Sequence, residues 1–182
     1  MEAFFQAQYH LNTRHFSRGE LRWTTDYSDE GHGRVVMPVR DSQGTLYGFT
    51  ARKLDDQRGP KTLSFLDNSR GSWYKCQEVA PWGERTTDLL IVEDQLSAIK
   101  ASDRINTVAL LGTDMSDSFL NEVVDGNYDN VYLALDKDAY QKAIGLVLKH
   151  RHRIPNMTTM FLKQDLKDMP YAAMCNLIDG QA

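Results

Sequence analysis

The chain has 182 residues, 41% of them hydrophobic and 25% charged, with a net charge of −4. That is enough for one good domain, or a domain with a smaller lobe, and the composition is ordinary for a soluble globular protein. No apolar run approaches the roughly 18 residues of a membrane span, and the opening MEAFFQAQYHLNTRH has an early acid and no basic region, unlike a secretory signal.

Cys76 and Cys175 lie far apart, which fits two reduced thiols in a cytoplasmic protein and neither a disulfide framework nor a zinc-ligand spacing. Charge is unevenly spread. From Arg34 to Lys75 eight Lys/Arg face four acids, so this segment is +4 and the rest of the chain is −8. Such a division suits a protein that holds phosphates on one surface and metal ions on another.

In chain order, Glu2–His10 and Ser17–Trp23 read as short helices, the second with Ser17 and Glu20 as a capping box. Asp26–Gly33 is a loop. RVVMPVR, the turn DSQG and TLYGFTARKL form a hairpin pattern, and after the turn DDQRGPK comes the strand TLSFL. A small, basic α+β lobe is expected over residues 1–85. From residue 86 the pattern alternates: strand DLLIVE, helix DQLSAIKASDR, strand TVALLGT, helix SDSFLNEVVDG with Gly126 as C-cap. It continues with strand NVYLALD, helix AYQKAIGLVLKHRHR, strand MTTMFLK and helix PYAAMCNLIDG, with Pro170 near its first turn. This β-α repetition predicts an α/β unit over 86–182, a parallel sheet flanked by helices on both faces, with ligands at the carboxyl ends of its strands.

Three of those strands end beside acids. Glu93 follows LLIV, Asp136 and Asp138 follow VYLAL, and Asp165 and Asp168 follow MFLKQ. Two residues apart in an extended chain, Asp136 and Asp138 would project to one side. Carboxylates converging on one edge repel each other unless a cation sits among them, and oxygen ligands without His or Cys select magnesium or manganese over zinc. The alternative for any one of these acids is a helix cap, as Asp138 would be for AYQKAIG.

The stretch LLIVEDQLSAIKA, then ALLGT, then VYLALDKDA resembles a Toprim domain, the metal-binding fold of bacterial and phage primases, type IA and II topoisomerases and some nucleases. Its hallmark, a Glu after the first strand and Asp-x-Asp after the third, is matched by Glu93 and by Asp136 with Asp138. LKQDLKDMP is similar to the Lys-Asp segment of primases, where Asp168 would join the metal site and Asp165 is a neighbouring candidate. The preceding Arg34, Pro38, Asp41 to Gly44, Gly48-Phe49, Arg52 and Pro60-Lys61 resemble the lobe before Toprim in primases, which topoisomerases lack. The likeness covers roughly residues 8–175 and is more phage-like than cellular.

The resemblance implies a Rossmann-like Toprim fold behind a small α+β lobe and a DNA primase catalytic core, a nucleotidyltransferase that makes short RNA primers on single-stranded DNA. Glu93, Asp136 and Asp138 would be catalytic. With Asp168 they would hold one or two Mg²⁺ (or Mn²⁺) ions, while Arg34, Arg52 and Lys61 would hold phosphates of template or ribonucleoside triphosphates. If the chain is viral, its place is the host cytoplasm. Neither a zinc-binding template-reading module nor a helicase domain is present in the sequence, so a partner or a longer polypeptide would supply them. A Toprim nuclease and a non-catalytic nucleic-acid-binding module are the alternatives. Where the family has Gly after the first Glu and an acid four residues beyond it, this chain has Asp94 and Ser97. Ala139-Tyr140-Gln141 replaces the usual Gly at the helix start, and Lys137 stands between the paired Asp residues.

RGPKT lacks the earlier glycine of a phosphate-binding P-loop. His150 and His152 are not spaced i, i+4 and read as a solvated helix end. Trp23, Trp73 and Trp82 are core or base-stacking residues.

Overall fold

Branched and aromatic residues at 34–40 and 46–53 fold the basic segment into an antiparallel sheet. The computed structural model describes residues 22–24, 34–40, 46–53, 60–66, 74–76 and 87–181. Strands β1 (Arg22–Thr24), β2 (Arg34–Arg40), β3 (Leu46–Lys53) and β4 (Thr62–Leu66) pair in that order, each antiparallel to the next. The helix expected over Ser17–Trp23 is corrected at its end: Arg22 and Trp23 lie in β1, opposite Val36 and Val35. A local capping signal there yields to the ladder that β2 offers, as weak propensities do in tertiary context. The rest of that helix, the one at Glu2–His10 and the loop Asp26–Gly33 lie outside the described residues.

Gly48 is fixed by crowding. A Cβ there would run into the Phe65 carbonyl and lie 2.9 Å from Leu66 Cα, because β4 crosses directly opposite. Gly48→Ala is expected to lower folding stability by about 1–3 kcal/mol, the usual cost of overpacking, seen as a lower urea midpoint at unchanged slope.

The second sheet contains β5 (Tyr74–Cys76), β6 (Leu89–Val92), β7 (Asn106–Ala109), β8 (Val131–Ala134) and β9 (Met157–Thr159), in the order β5-β7-β6-β8-β9. Strands β6 to β9 are mutually parallel, as the alternation predicted, and β5 adds an antiparallel edge beside β7. A strand from before residue 86 therefore completes the sheet of the α/β unit, across the expected boundary. Helices α1 (Gln95–Ala101), α2 (Asp117–Asp125), α3 (Tyr140–His150) and α4 (Tyr171–Asp179) follow the four parallel strands in turn.

Strand β6 is central and buried throughout, which is why LLIV reads as a continuous apolar run. Its side chains alternate between two cores. Leu90 and Val92 pack with Leu96 and Ile99 of α1 and Met174 of α4. Leu89 and Ile91 pack with Phe119 and Leu120 of α2 and Leu146 of α3. Val35, Met37 and Val39 of β2 belong to the first of these cores, so the small sheet shares hydrophobic contacts with the α/β unit. Polar bonds fasten the junction: buried Gln95 takes a hydrogen bond from Thr50 Oγ1 and donates to the Pro38 carbonyl at 3.1 Å. No helix among the described residues is long and apolar enough to cross a membrane.

Candidate active site

The chain crosses back over β6 between β7 and β8, and this order opens a crevice at the carboxyl ends of the strands. Glu93 leaves β6 there. Asp136 emerges two residues beyond β8, and Asp165 precedes a 3₁₀ turn at Leu166–Asp168.

Asp94, one of the departures from the family pattern, has a local task. It is the N-cap of α1: its carboxylate accepts from the amides of Leu96 at 3.0 Å and Ser97 at 3.3 Å and from the Ser97 hydroxyl at 2.9 Å. Asp94 and Ser97 are thus partners in one cap. Capping does not use up the other pair. Asp136 precedes the 3₁₀ turn Lys137–Ala139 without a side-chain cap bond, and Ala139 is the N-cap of α3.

One ammonium group joins the acids. Lys167 Nζ lies 2.8 Å from Asp136, 3.1 Å from Asp94 and 3.4 Å from Asp165, and its side chain is only 7% exposed. Burial opposes its charge, but Asp94, Asp136 and Asp165 outweigh burial and hold its pKa far above the ordinary lysine value. Burial also raises Asp165, yet the Lys137 amide, 3.1 Å from its Oδ1, and the Lys167 ammonium hold that carboxyl below the usual range.

Glu93 and Asp136 behave in the opposite way. Burial raises Glu93 and the charge of Asp136 raises it further, although the Asp136 backbone N–H donates to it. Asp136 is raised chiefly by burial, with Asp94 and Asp165 adding to this against Lys167. Burial and neighbouring acids thus oppose the charge of Glu93 and Asp136, whereas Asp165 keeps its charge beside Lys167 and the Lys137 amide. Hard carboxylate oxygens at a strand end suit a magnesium or manganese ion, whose charge would offset the cost of burying them, so Glu93 and Asp136 fit the group that the fold family implies. Among the described residues no three Asp, Glu, His or Cys side chains converge in a ready-made metal cage. The middle of the cluster holds Lys167 instead.

Behind this turn, Lys100 is fully buried and donates to the carbonyls of Leu166 at 3.0 Å, Lys167 at 3.1 Å and Met169. Burial draws its pKa down to about 8, against the attraction of Asp168.

A cleft of about 210 Å³ opens beside Glu93, between the small sheet and the loop after β7. Thr50, Arg52, Thr62 and Ser64 line one side, with Asp94 and Gly112 opposite. Leu111, at φ 57°, takes the left-handed conformation that turns this loop, and its amide donates to the Glu93 carbonyl at 2.9 Å.

The expected residues fare differently. Glu93 and Asp136 come together, and Arg52 reaches the same cleft. Asp138 does not follow Asp136 as an extended chain would place it: β8 stops at Ala134, and a turn of three residues per revolution leaves Asp138 exposed. Asp165, rather than Asp168, meets Asp136 through Lys167, while the charge of Asp168 acts on Lys100 at the other side of the turn. Arg34 is buried, with Nη1 donating to the carbonyls of Pro60 at 3.2 Å and Ala51 at 3.4 Å, and lies outside the cleft lining. Lys61 is exposed at the start of β4, also outside it. His150 is buried rather than solvated, which lowers its pKa. The side chains of Trp23, Trp73 and Trp82 lie outside the described residues.

Sequence reasoning missed Lys167 as the centre of the cluster and Lys100 as its support. No local pattern around either lysine marks it as buried. The cap at Asp94 was signalled by Asp-x-x-Ser before an apolar helix.

No protein-family model matches the chain. It is 27% identical to a DNA primase of Legionella pneumophila, over 63% of this chain and 22% of that relative. A DNA primase domain from Pseudomonas aeruginosa superposes with a TM-score of 0.61 at 24% identity, covering 90% of this chain and 57% of that one. The chain has the fold of a Toprim-type primase catalytic core. The primase fragment of the bacteriophage T7 primase-helicase protein shares it with a TM-score of 0.67 at 10% identity, over 97% of this chain and 72% of that one. A DnaG primase catalytic domain bound to ssDNA superposes with a TM-score of 0.61 at 21% identity, over 96% and 61%. The chain spans about a fifth of the curated relative's length, and 57% and 61% of the Pseudomonas aeruginosa and ssDNA-bound DnaG domains. Three of the four parallel strands, β6, β8 and β9, lead into the segments that carry Glu93, Asp136 and Asp165.

Proposed function

We propose that the chain is the nucleotidyl-transferring core of a DNA primase, which joins ribonucleotides on single-stranded DNA with the help of Mg²⁺ or Mn²⁺. The observation that carries this reading is the meeting of Glu93 and Asp136 at the carboxyl end of a primase-type sheet, beside a cleft walled by Arg52. Glu93 and Asp136 would hold the ion, and exposed Asp138 would add a carboxylate within reach of solvent. When bound, the ion neutralises charge on the reacting phosphates.

The chain's own groups do the positioning. Arg52 presents a guanidinium to phosphate oxygens, as a planar fork that accommodates two of them at once. Thr50, Thr62 and Ser64 supply hydroxyls along the same wall. Lys61, exposed at the edge of the basic segment, attracts the phosphates of the template. The DnaG domain solved with ssDNA and the T7 primase-helicase protein support single-stranded DNA as template and a helicase as partner. Arg52→Gln is expected to raise the KM for ribonucleotides about tenfold or more, through loss of one charge-assisted contact, with a smaller change in kcat. Steady-state primer synthesis over a nucleotide series measures the split.

The deciding experiment is synthesis of short labelled oligoribonucleotides on single-stranded DNA with Mg²⁺ or Mn²⁺, wild type beside Asp136→Ala. Product from wild type alone establishes the reading. Cleavage of the template that Asp136→Ala abolishes makes the protein a Toprim nuclease. Neither activity, with helicase and zinc-module partners supplied, makes it a binding module.

A further inference from the structure

An ammonium and a divalent cation compete for the same kind of place, a gap between converging carboxylates. Here that gap is taken. Three carboxylates surround Lys167 Nζ at 2.8, 3.1 and 3.4 Å, matching the three donors of an ammonium group. The lysine cannot easily withdraw. Its stem is buried, and its own backbone carbonyl is pinned from behind by Lys100, which also binds the carbonyls of Leu166 and Met169. Asp94 is held on the far side by the cap of α1, and Asp165 by the amide of Lys137. Two walls of the pocket, Asp94 and Asp165, are thus fixed by bonds that do not involve the ammonium. A second cation brought to the same carboxylates would meet an ammonium held in place from behind.

We propose that Lys167 is a resident cation of the acid cluster: its ammonium permanently fills the place between Asp94, Asp136 and Asp165 and limits the chain to one divalent ion, on the Glu93 side. The proposal rests on the reading of Glu93 and Asp136 as metal-binding carboxylates. It gives the site two cations, of which only one depends on the supply of metal. Lys167 is a positioning residue, setting where Asp136 can present its remaining oxygen.

Calorimetric titration with Mn²⁺ tests this without any turnover, on wild type, Lys167→Met, and Lys167→Met combined with Asp94→Asn to relieve the charge left behind. Wild type is expected to take up one ion. Either variant is expected to take up a second, or to bind the first about tenfold more tightly once the like charge is gone. Two ions on wild type, or variants with unchanged stoichiometry and affinity, overturn the proposal. No uptake by any of the three overturns the metal-site reading itself, and the proposal with it.

Should neither variant fold, wild type alone decides. In protein carrying ¹⁵N-lysine, the protected ammonium resonance of Lys167 is expected to persist when Mg²⁺ saturates the site. Its collapse to the position of a solvated lysine would show that the metal expels it and that the proposal is wrong.

Discussion

Lys100→Met is expected to cost about 3 kcal/mol of folding stability, a large share of what a domain of this size possesses. Two effects oppose each other. Methionine has nearly the length of the lysine stem and removes a charge that burial penalises, as the fall of the Lys100 pKa to about 8 indicates. That change alone favours the variant. Against it, the carbonyls of Leu166, Lys167 and Met169 lose the ammonium. Leu166 keeps the bond from the Met169 amide, so two carbonyls bear most of the loss, at about 1–3 kcal/mol each. The acceptors outnumber the charge they were satisfying, and destabilisation wins. Urea unfolding measures it. A neutral or more stable Lys100→Met would show that desolvation of the ammonium outweighs the loss of its hydrogen bonds.

Alkaline pH gives the same residue a second signature. A lysine with its folded pKa lowered binds fewer protons in the folded chain than in the unfolded one between about 8 and its ordinary value. Wild-type stability therefore gains from this group as pH rises through that window, and the charge penalty is fully present below it. Lys100→Met lacks the group, so its deficit relative to wild type is expected to widen from pH 8 towards pH 10.

The strands and the acids were legible for one reason: both depend on local pattern. LLIV, TVAL and VYLA are short apolar runs because parallel strands are covered on both faces, and an acid at the end of such a run has only the crevice to enter. Glu93 and Asp136 could be found that way. Asp138 could not, because the direction of its side chain depends on whether the chain stays extended past β8, and it turns instead. The choice between Asp165 and Asp168 is set by which side of a single 3₁₀ turn faces β8, which their spacing in sequence does not disclose. β5 is three residues long and gains its identity only by pairing with β7, more than thirty residues later. The lysines were hardest to see. A Lys beside acids usually marks a solvated face, and only the tertiary fold reveals that Lys167 and Lys100 point inward, to carboxylates and to carbonyls.

Binding of a divalent ion is expected to weaken steeply as pH falls, beginning above the range of ordinary carboxylates. Burial and the charge of Asp136 raise the pKa of Glu93, while burial together with Asp94 and Asp165 raises that of Asp136 in spite of Lys167. Each proton held there must leave before an oxygen can take the ion. The two groups interact, so the protons come off as a pair and neither step belongs to one residue. Where both are protonated, affinity falls by up to about a hundredfold for each pH unit. Where one is, it falls by about tenfold, and above both raised values it levels off. Glu93→Gln removes one of the two protons. Its Mn²⁺ affinity is expected to start lower at neutral pH and to fall no faster than about tenfold per unit. Isotherms of both proteins across mildly acidic pH measure the two slopes. Equal slopes would mean that Glu93 releases no proton to the ion and stands outside its coordination. A wild-type profile flat down to the ordinary aspartate range would mean that Glu93 and Asp136, whose carboxyls burial raises, are not what the ion binds.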